Sequence, residues 1–318
     1  MALHRLSSIT IGVPNVEDTC GFYAEFGLTR NGARFSTKDG GEQLRIIESP
    51  TRRLIELCIG ADDPDDVARV SYQLSSLGVA IEHDPTSVCA LEVHTGARVV
   101  VEVLPPLTQE PAAVEPTNYP GCIQRGNGRA PAILRQEPVR PLKLGHVVMG
   151  TPEPEASQRF FVDGVGFKVS DQVQGLAAFM RCSTDHHNLL LQPAPVAYLH
   201  HTAWQVDDVD EIGRGAMTML EGHPERHVWG LGRHFIGSNF FWYLRDPAGN
   251  FSEYYSDMDV ITDDQLWAPG TWEPSLRSLY AWGPDVPPSM LQPDDLADLM
   301  ATSPQSQGAS RHDFGSYC

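Results

Sequence analysis

At 318 residues the chain is long enough for two domains, each burying its own core. A formal net charge of -18 and a pI near 4.9 repel phosphate backbones and anionic lipid, which excludes nucleic acid and membrane surfaces as partners. No apolar run approaches the ~20 residues of a membrane span, and Met1-Ala2-Leu3-His4-Arg5 leads straight into a strand without a signal-peptide core, so a cytoplasmic protein is expected.

In chain order, residues 6–13 read as a strand, and Pro14-Asn15 opens a helix that runs to about Phe26 and stops at Gly27. Residues 44–47 and 54–59 read as further strands. Asp63-Pro64-Asp65-Asp66 is an acidic, proline-bearing helix start, and Val67, Val70, Leu74 and Leu77 keep helical spacing as far as Gly78. Residues 99–103 close this half as a strand. From 106 to 141 proline recurs and apolar periodicity vanishes, so the stretch reads as an interdomain linker wrapped on one domain's surface.

The second half then restarts the first. Leu144-Gly145-His146-Val147-Val148-Met149-Gly150-Thr151-Pro152 matches Leu6-Ser7-Ser8-Ile9-Thr10-Ile11-Gly12-Val13-Pro14 at a constant offset, and Phe160-Phe161 falls where Phe22-Tyr23 falls. His146 occupies the slot of Ser8. Thr151-Pro152-Glu153 has the order of a helix start, a capping residue followed by proline and an acid. A fourth unit begins at Tyr198, with a helix capped by Asp207 or Asp208, running to about Glu221 and ended by Gly222. The implied divisions are an N-terminal domain over 1–105, a linker over 106–141, a second domain over 142–260 and a C-terminal extension over 261–318. Aromatic residues between Thr271 and Pro284 give that extension order, and beyond about Thr302 its composition is that of a frayed tail.

The six cysteines form no CxxC pair, so neither a disulfide framework nor a zinc knuckle is indicated. The histidines crowd the second half instead. Asp246-Pro247-Ala248-Gly249 places proline and glycine where a type I turn wants them, and the aromatic runs on either side read as an antiparallel hairpin. Alternation along its strands puts Phe241 and Tyr243 on one face and Phe251, Glu253 and Tyr255 on one face. Glu253, an inward carboxylate among aromatic side chains, needs a cation or metal as partner, because burying it alone costs several kcal/mol or more.

His146 and His201 sit at matching positions on the first strands of the third and fourth units, and with Glu253 they make a two-histidine, one-carboxylate set. Such a set suits non-haem Fe(II) with three open positions or zinc with one, and ligand identity alone does not choose. Strand alternation turns His200 away from His201, so that pair offers a single ligand. One of His186 and His187 enters the pocket as a proton carrier on this reading, while His223 and His227 fall in a solvated loop.

Gly232-x-His234, then Tyr243, then Asp246-Pro247-x-Gly249, then Glu253, resembles the signature of type I extradiol catechol dioxygenases in the vicinal oxygen chelate superfamily. Trp242 departs from it, standing where an aliphatic residue or phenylalanine is usual. The resemblance spans about residues 5 to 260 and implies an α+β fold of two tandem domains. Each would be a pair of βαβββ modules forming a curved, mostly antiparallel sheet around a funnel, with metal only in the second.

Carried over residue by residue, it implies Fe(II), with Mn(II) as a substitute, held by His146, His201 and Glu253. It makes His187 the acid–base histidine, and His234 with Tyr243 the pair that hydrogen-bonds the catecholate and its oxygenated successor. The implied partners are a small aromatic diol and O2, the implied product a ring-opened semialdehyde or keto acid cleaved beside the diol, and the implied assembly a homo-oligomer. Residues 279–284, with Gly237-Ser238-Asn239, are similar to the branch acting on substituted catechols such as dihydroxycumate or trihydroxytoluene. The alternatives are a glyoxalase-like isomerase or thiol transferase using another divalent metal, and a metal-free ligand-binding protein of the same fold.

Overall fold

The computed structural model describes residues 3–112 and 115–302; the tail expected to fray beyond Thr302 lies outside the described residues. The strands of the first half are β1 (Leu3–Val13), β2 (Thr29–Asn31), β3 (Arg34–Thr37), β4 (Gly41–Glu48), β5 (Arg53–Ala61), β6 (Ile81–His83), β7 (Ser87–Glu92) and β8 (Ala97–Val103). Helices α1 (Val16–Glu25) and α2 (Pro64–Ser76) follow β1 and β5. The second half holds β9 (Lys143–Thr151), β10 (Lys168–Val173), β11 (Ala177–Arg181), β12 (Leu189–Pro193), β13 (Tyr198–Gln205), β14 (His227–Arg233), β15 (Phe240–Arg245) and β16 (Phe251–Ser256). Its helices are α3 (Pro154–Arg159), continued by a π-helical turn at Phe160–Val165, and α4 (Val209–Leu220).

Strand, helix and three strands thus recur four times, which is the expected βαβββ plan. The first sheet is ordered β2-β3-β4-β1-β5-β8-β7-β6, and the second β14-β15-β16-β13-β9-β12-β11-β10 with β17 (Gly270–Trp272) added at its edge. In both sheets the first strands of two modules pair antiparallel at the centre, β1 with β5 and β9 with β13. Each central strand pairs parallel with the last strand of its own module, as β13 does with β16. This topology is what brings His146, His201 and Glu253 onto three adjacent strands.

Local chemistry accounts for the helix ends. Asp63 accepts from the backbone N–H of Asp65 and Asp66 at 2.9 and 3.0 Å, and Asp208 from that of Glu211 at 2.9 Å, so each carboxylate satisfies amides that the first turn leaves without partners. Thr151 does not cap its helix: its hydroxyl is shared with Ser157 at 3.0 Å, and the helix begins later, at Pro154.

The two halves do not bury separate cores. One continuous apolar cluster runs from Leu3 in β1 to Tyr254 in β16. Helix α1 and the residue that caps it contribute to this, because their aromatic residues reach the second sheet: Phe26 stacks on Tyr254 with centroids 3.9 Å apart, and Tyr23 lies edge-on to Trp204 at 6.2 Å. Tyr254 also donates to the Phe26 carbonyl at 2.7 Å, and Ser252 donates to Tyr23 at 3.0 Å. The linker is tied to both halves, with Lys38 N–H donating to the Pro141 carbonyl at 2.9 Å and Arg135 bridging Asp208 and Glu211.

Beyond β16 the chain folds back over the second sheet through α5 (Leu276–Leu279), α6 (Pro288–Leu291) and α7 (Leu296–Thr302). Arg52, at the start of the first half's second module, anchors this return. The residue is 4 % exposed, and its guanidinium grips both oxygens of Asp295 at 2.7 and 2.8 Å while donating to the Leu199 carbonyl. Among the described residues no helix is long and apolar enough to cross a membrane.

Replacing Arg52 with alanine strands the Leu199 carbonyl and releases Asp295. Because Asp295 is partly solvated, the expected loss is about 2–3 kcal/mol of unfolding free energy rather than the full cost of a broken buried pair. Urea denaturation of Arg52→Ala measures it, and an unchanged midpoint would show that the extension is held by its other contacts, such as the Trp229 indole N–H donated to the Pro284 carbonyl.

Candidate metal centre

Glu253 fixes the geometry of the site. It lies at the middle of β16, opposite Tyr243 on β15 and Ala203 on β13, and its side chain is fully buried. The hairpin that presents it has the expected turn: Gly249 N–H donates to the Asp246 carbonyl at 3.0 Å, and Gly249 has the positive φ of 92° that glycine tolerates. Burial pushes the Asp246 carboxyl up to about 6, although Asn250, Ala248 and Arg52 pull the other way.

Around that carboxylate the structure assembles the three expected donors. His146 Nε2 is 3.1 Å from Glu253 Oε2, His201 Nε2 is 3.5 Å from the same oxygen, and the two histidine nitrogens are 3.3 Å apart. All three residues are buried, and their ligand atoms lie within 4.8 Å of one another. The other carboxylate oxygen, Oε1, accepts from the Asn239 amide at 3.1 Å. Asn239 therefore holds the rotamer of Glu253. Two imidazoles and a carboxylate converging in a buried pocket, with no ammonium or guanidinium among the described residues bonded to the carboxylate, fit a divalent metal ion. Gly145, next to His146, is required by close packing, since a Cβ there would meet the Tyr255 hydroxyl at 2.0 Å.

Burial lowers the His201 imidazole well below its usual range, and neighbouring His200, His146 and His234 add to the effect. The ring is kept in the neutral form that binds metals. Desolvation likewise takes His200 down to about 4, outweighing the hydrogen bond to the Met290 carbonyl.

His200 is where strand alternation fails. Its ring does not turn away from His201, because a bulge between Leu199 and His201 breaks the β13–β9 register, and the two Nδ1 atoms lie 2.7 Å apart. The second pair behaves similarly: in the loop before β12, His187 Nδ1 is 3.1 Å from His186 Nδ1, and His186 Nε2 is 3.2 Å from Asp171 on β10. The His187 ring lies tilted beside that of His146, 4.3 Å between centroids, and lines the same cavity. Desolvation, then the charges of neighbouring histidines led by His146, hold its pKa well below the usual value.

His234 follows β14 directly. Its Nδ1 donates to the Leu279 carbonyl at 2.6 Å, and its Nε2 faces the Tyr243 hydroxyl at 2.9 Å. Burial, with Glu253 nearby, raises Tyr243 well above its usual range and keeps it protonated. His223 and His227 are placed away from the centre; His223 is bonded to Glu225, and His227 accepts from the Trp242 indole at 3.1 Å.

A cavity of about 560 Å³ opens onto His146 and His201. Its walls are apolar, with Val148, Val173, Phe179, Ile236, Val286 and Met290 among them, and the described residues that line it include no lysine or arginine. Asn239, Asp171 and the role of His200 were not identified from the sequence as parts of the site; only the hydrogen bonds reveal them.

Four βαβββ modules and a buried two-histidine, one-carboxylate centre define a metal-dependent enzyme of the vicinal oxygen chelate class. Residues 143–254 match the Glyoxalase/Bleomycin resistance protein/Dioxygenase superfamily. The chain is 33% identical over 303 residues to metapyrocatechase 2 of Cupriavidus necator, covering 90% of this chain and 91% of that one. More partial matches are named as a manganese-dependent 2,3-dihydroxybiphenyl 1,2-dioxygenase and an iron-dependent extradiol dioxygenase. Two solved structures share the fold. The Mn(II)-bound glyoxalase of Novosphingobium aromaticivorans superposes with TM-score 0.71 at 23% identity, covering 91% of this chain and 94% of that one. A variant of homoprotocatechuate 2,3-dioxygenase from Brevibacterium fuscum superposes with TM-score 0.70 at 18% identity, covering 91% and 81%.

The chain belongs to the type I extradiol dioxygenases, the enzymes that open a catechol ring beside its diol, and its cofactor is a divalent Fe(II) or Mn(II) ion.

A metal that binds only the folded chain stabilises it by about 2.7 kcal/mol at one hundred times its dissociation constant. Thermal unfolding with excess Mn(II) should therefore occur above that of chelator-treated protein, and Glu253→Ala should remove the difference. A persisting shift in that variant would place the ion elsewhere.

Proposed function

We propose that the chain uses Fe(II), or Mn(II) in its place, held by His146, His201 and Glu253, to cleave a catechol bearing an apolar substituent. The carrying observation is that His146 and His201, which meet the buried Glu253, line one apolar cavity together with His187, His234 and Tyr243. A glyoxalase-like isomerase, a thiol transferase or a metal-free binding protein has no need of the last three residues. The catalytic domain on this reading is 142–260, and 1–105 is a non-metal domain joined by the 106–141 linker; Ser8 at the position matching His146 supports that asymmetry.

When bound, the metal supplies a Lewis-acidic template that acidifies the diol and holds it beside O2. The protein handles the protons. With the pair uncharged, Asp171 accepts from His186 Nε2–H, so His186 Nδ1 accepts from His187 Nδ1–H and His187 Nε2 is left as the base. A diol proton taken at Nε2 is stabilised through His186 by the Asp171 carboxylate, and the same nitrogen returns it to an oxygen as the ring opens. Tyr243, kept protonated and oriented by His234, carries the hydroxyl proton available to developing negative charge. The cavity volume falls within the range of small-molecule sites, and apolar walls without a cationic residue favour alkyl or aryl substituents over carboxylates.

A homo-oligomer is supported by exposed Ile123, Ile133 and Leu134 in the linker region. A cytoplasmic location is supported by the five free cysteines among the described residues. The test of the function is Fe(II) or Mn(II) reconstitution of metal-free protein under argon, followed by oxygen uptake with catechols. Absence of uptake from metal-loaded protein with every catechol would refute it.

His187→Phe should bind metal and catechol normally while kcat falls about 10²–10⁴-fold. The lowered pKa of His187 keeps its base form at pH values below the ordinary 6.5, and a bound cation acts in the same direction, so the acid limb of kcat belongs below pH 6.5 and should vanish in the variant. Loss of metal in His187→Phe would instead place it among the ligands. Across a substrate panel, kcat/KM should favour methyl- and phenyl-substituted catechols over carboxylated ones by about tenfold or more; the reverse ranking would contradict the reading of the cavity wall.

A further inference from the structure

The extension after β16 does more than cover the cavity. Two of its backbone carbonyls end hydrogen-bond chains that begin at the metal centre. The Leu279 carbonyl accepts from His234 Nδ1 at 2.6 Å, and the Met290 carbonyl accepts from His200 Nε2 at 3.0 Å, behind His201.

A carbonyl oxygen can only accept, and a neutral imidazole has one donor and one acceptor nitrogen. The bond to Met290 therefore makes His200 Nε2 the donor and His200 Nδ1 an acceptor. Across the 2.7 Å contact His201 Nδ1 must then donate, which leaves the lone pair of His201 on Nε2, the nitrogen facing His146 and Glu253. At His234 the Leu279 carbonyl likewise fixes the proton on Nδ1, so Nε2 accepts from the Tyr243 hydroxyl.

We infer that the C-terminal extension sets the tautomers of His201 and His234, acting on His201 through His200 as a positioning residue. This rests on the assignment of His201 as a metal ligand and of His234 as a site residue. Arg52 supports the longer chain at both ends, because it bonds the Leu199 carbonyl next to His200 and Asp295, soon after Met290. The extension thereby belongs to the metal centre, and a first-half side chain holds it in place.

The test uses the full chain, metal-free, at neutral pH. Imidazole 15N shifts should show His201 and His234 protonated at Nδ1 and His200 at Nε2. His200→Phe removes the relay, so His201 should lose its single tautomer and Mn(II) affinity should fall about 10–100-fold. His200→Asn places an amide oxygen near the position of Nδ1. It should preserve the His201 tautomer and keep Mn(II) affinity within about threefold of the parent. A residue that merely fills space would not discriminate between these variants in that way.

A chain ending at Pro287 should reproduce the His201 effect and leave His234 on Nδ1. Should that chain fail to fold, the two His200 variants still decide. Wild-type protein that binds Mn(II) but carries the His201 proton on Nε2 overturns the relay alone, as does unchanged affinity in His200→Phe. Wild-type protein that binds no Mn(II) overturns the metal-centre reading beneath it.

Discussion

The buried carboxylate of Glu253 is the constraint on which the second sheet depends. Removing an ion from water costs several kcal/mol unless its oxygens are matched, and here the matching is divided. Asn239 takes Oε1, while Oε2 faces His146 and His201. Those partners come from two strands and one loop, so the β13–β16 register, the β9–β13 pairing and the Ile236–Asn239 turn must all form before the carboxylate is satisfied. A divalent cation at this position would give Oε2 and the two imidazoles a common partner.

Gene-scale repetition explains how such a centre can be built from ordinary parts. Four copies of one module give two sheets with the same central pairing, yet Ser8 replaces the histidine in the first, leaving no equivalent donor there. That half retains a structural use. Helix α1 and its capping residue send Phe22, Tyr23 and Phe26 into the continuous core, and Arg52 grips the extension, so the first half braces the second.

Much of this was legible in the residues because it follows from short-range rules. The proline and glycine of the 246–249 turn set the hairpin, period-two alternation set Glu253 opposite Tyr243, and the repeat offset placed His146. Other features depend on contacts that alternation and propensity do not encode. A one-residue bulge turned His200 toward His201, against the expectation of opposite faces. Aromatic contacts of α1 merged two expected cores into one, since nothing in the pattern of an amphipathic helix says which sheet its buried side meets. Asp171 is distant in sequence from His186 and has no spacing signal, and a carbonyl acceptor such as that of Met290 has no residue identity at all.

The same dipeptide, His-His, occurs twice at the site with the same Nδ1-to-Nδ1 contact and different endings. Behind His187 the chain ends on the Asp171 carboxylate, which also accepts the backbone N–H of Gly270. A negative terminus stabilises an additional proton anywhere along that chain, which suits a residue that must gain and lose one. Behind His201 the chain ends on a neutral carbonyl, with the Arg52 guanidinium nearby further disfavouring positive charge. That ending keeps the imidazole neutral and its lone pair on the donor nitrogen, which suits a ligand. Identical sequence pairs thus acquire different chemistry from what lies beyond the second ring, and in the ligand's case that group belongs to a segment outside the repeated modules.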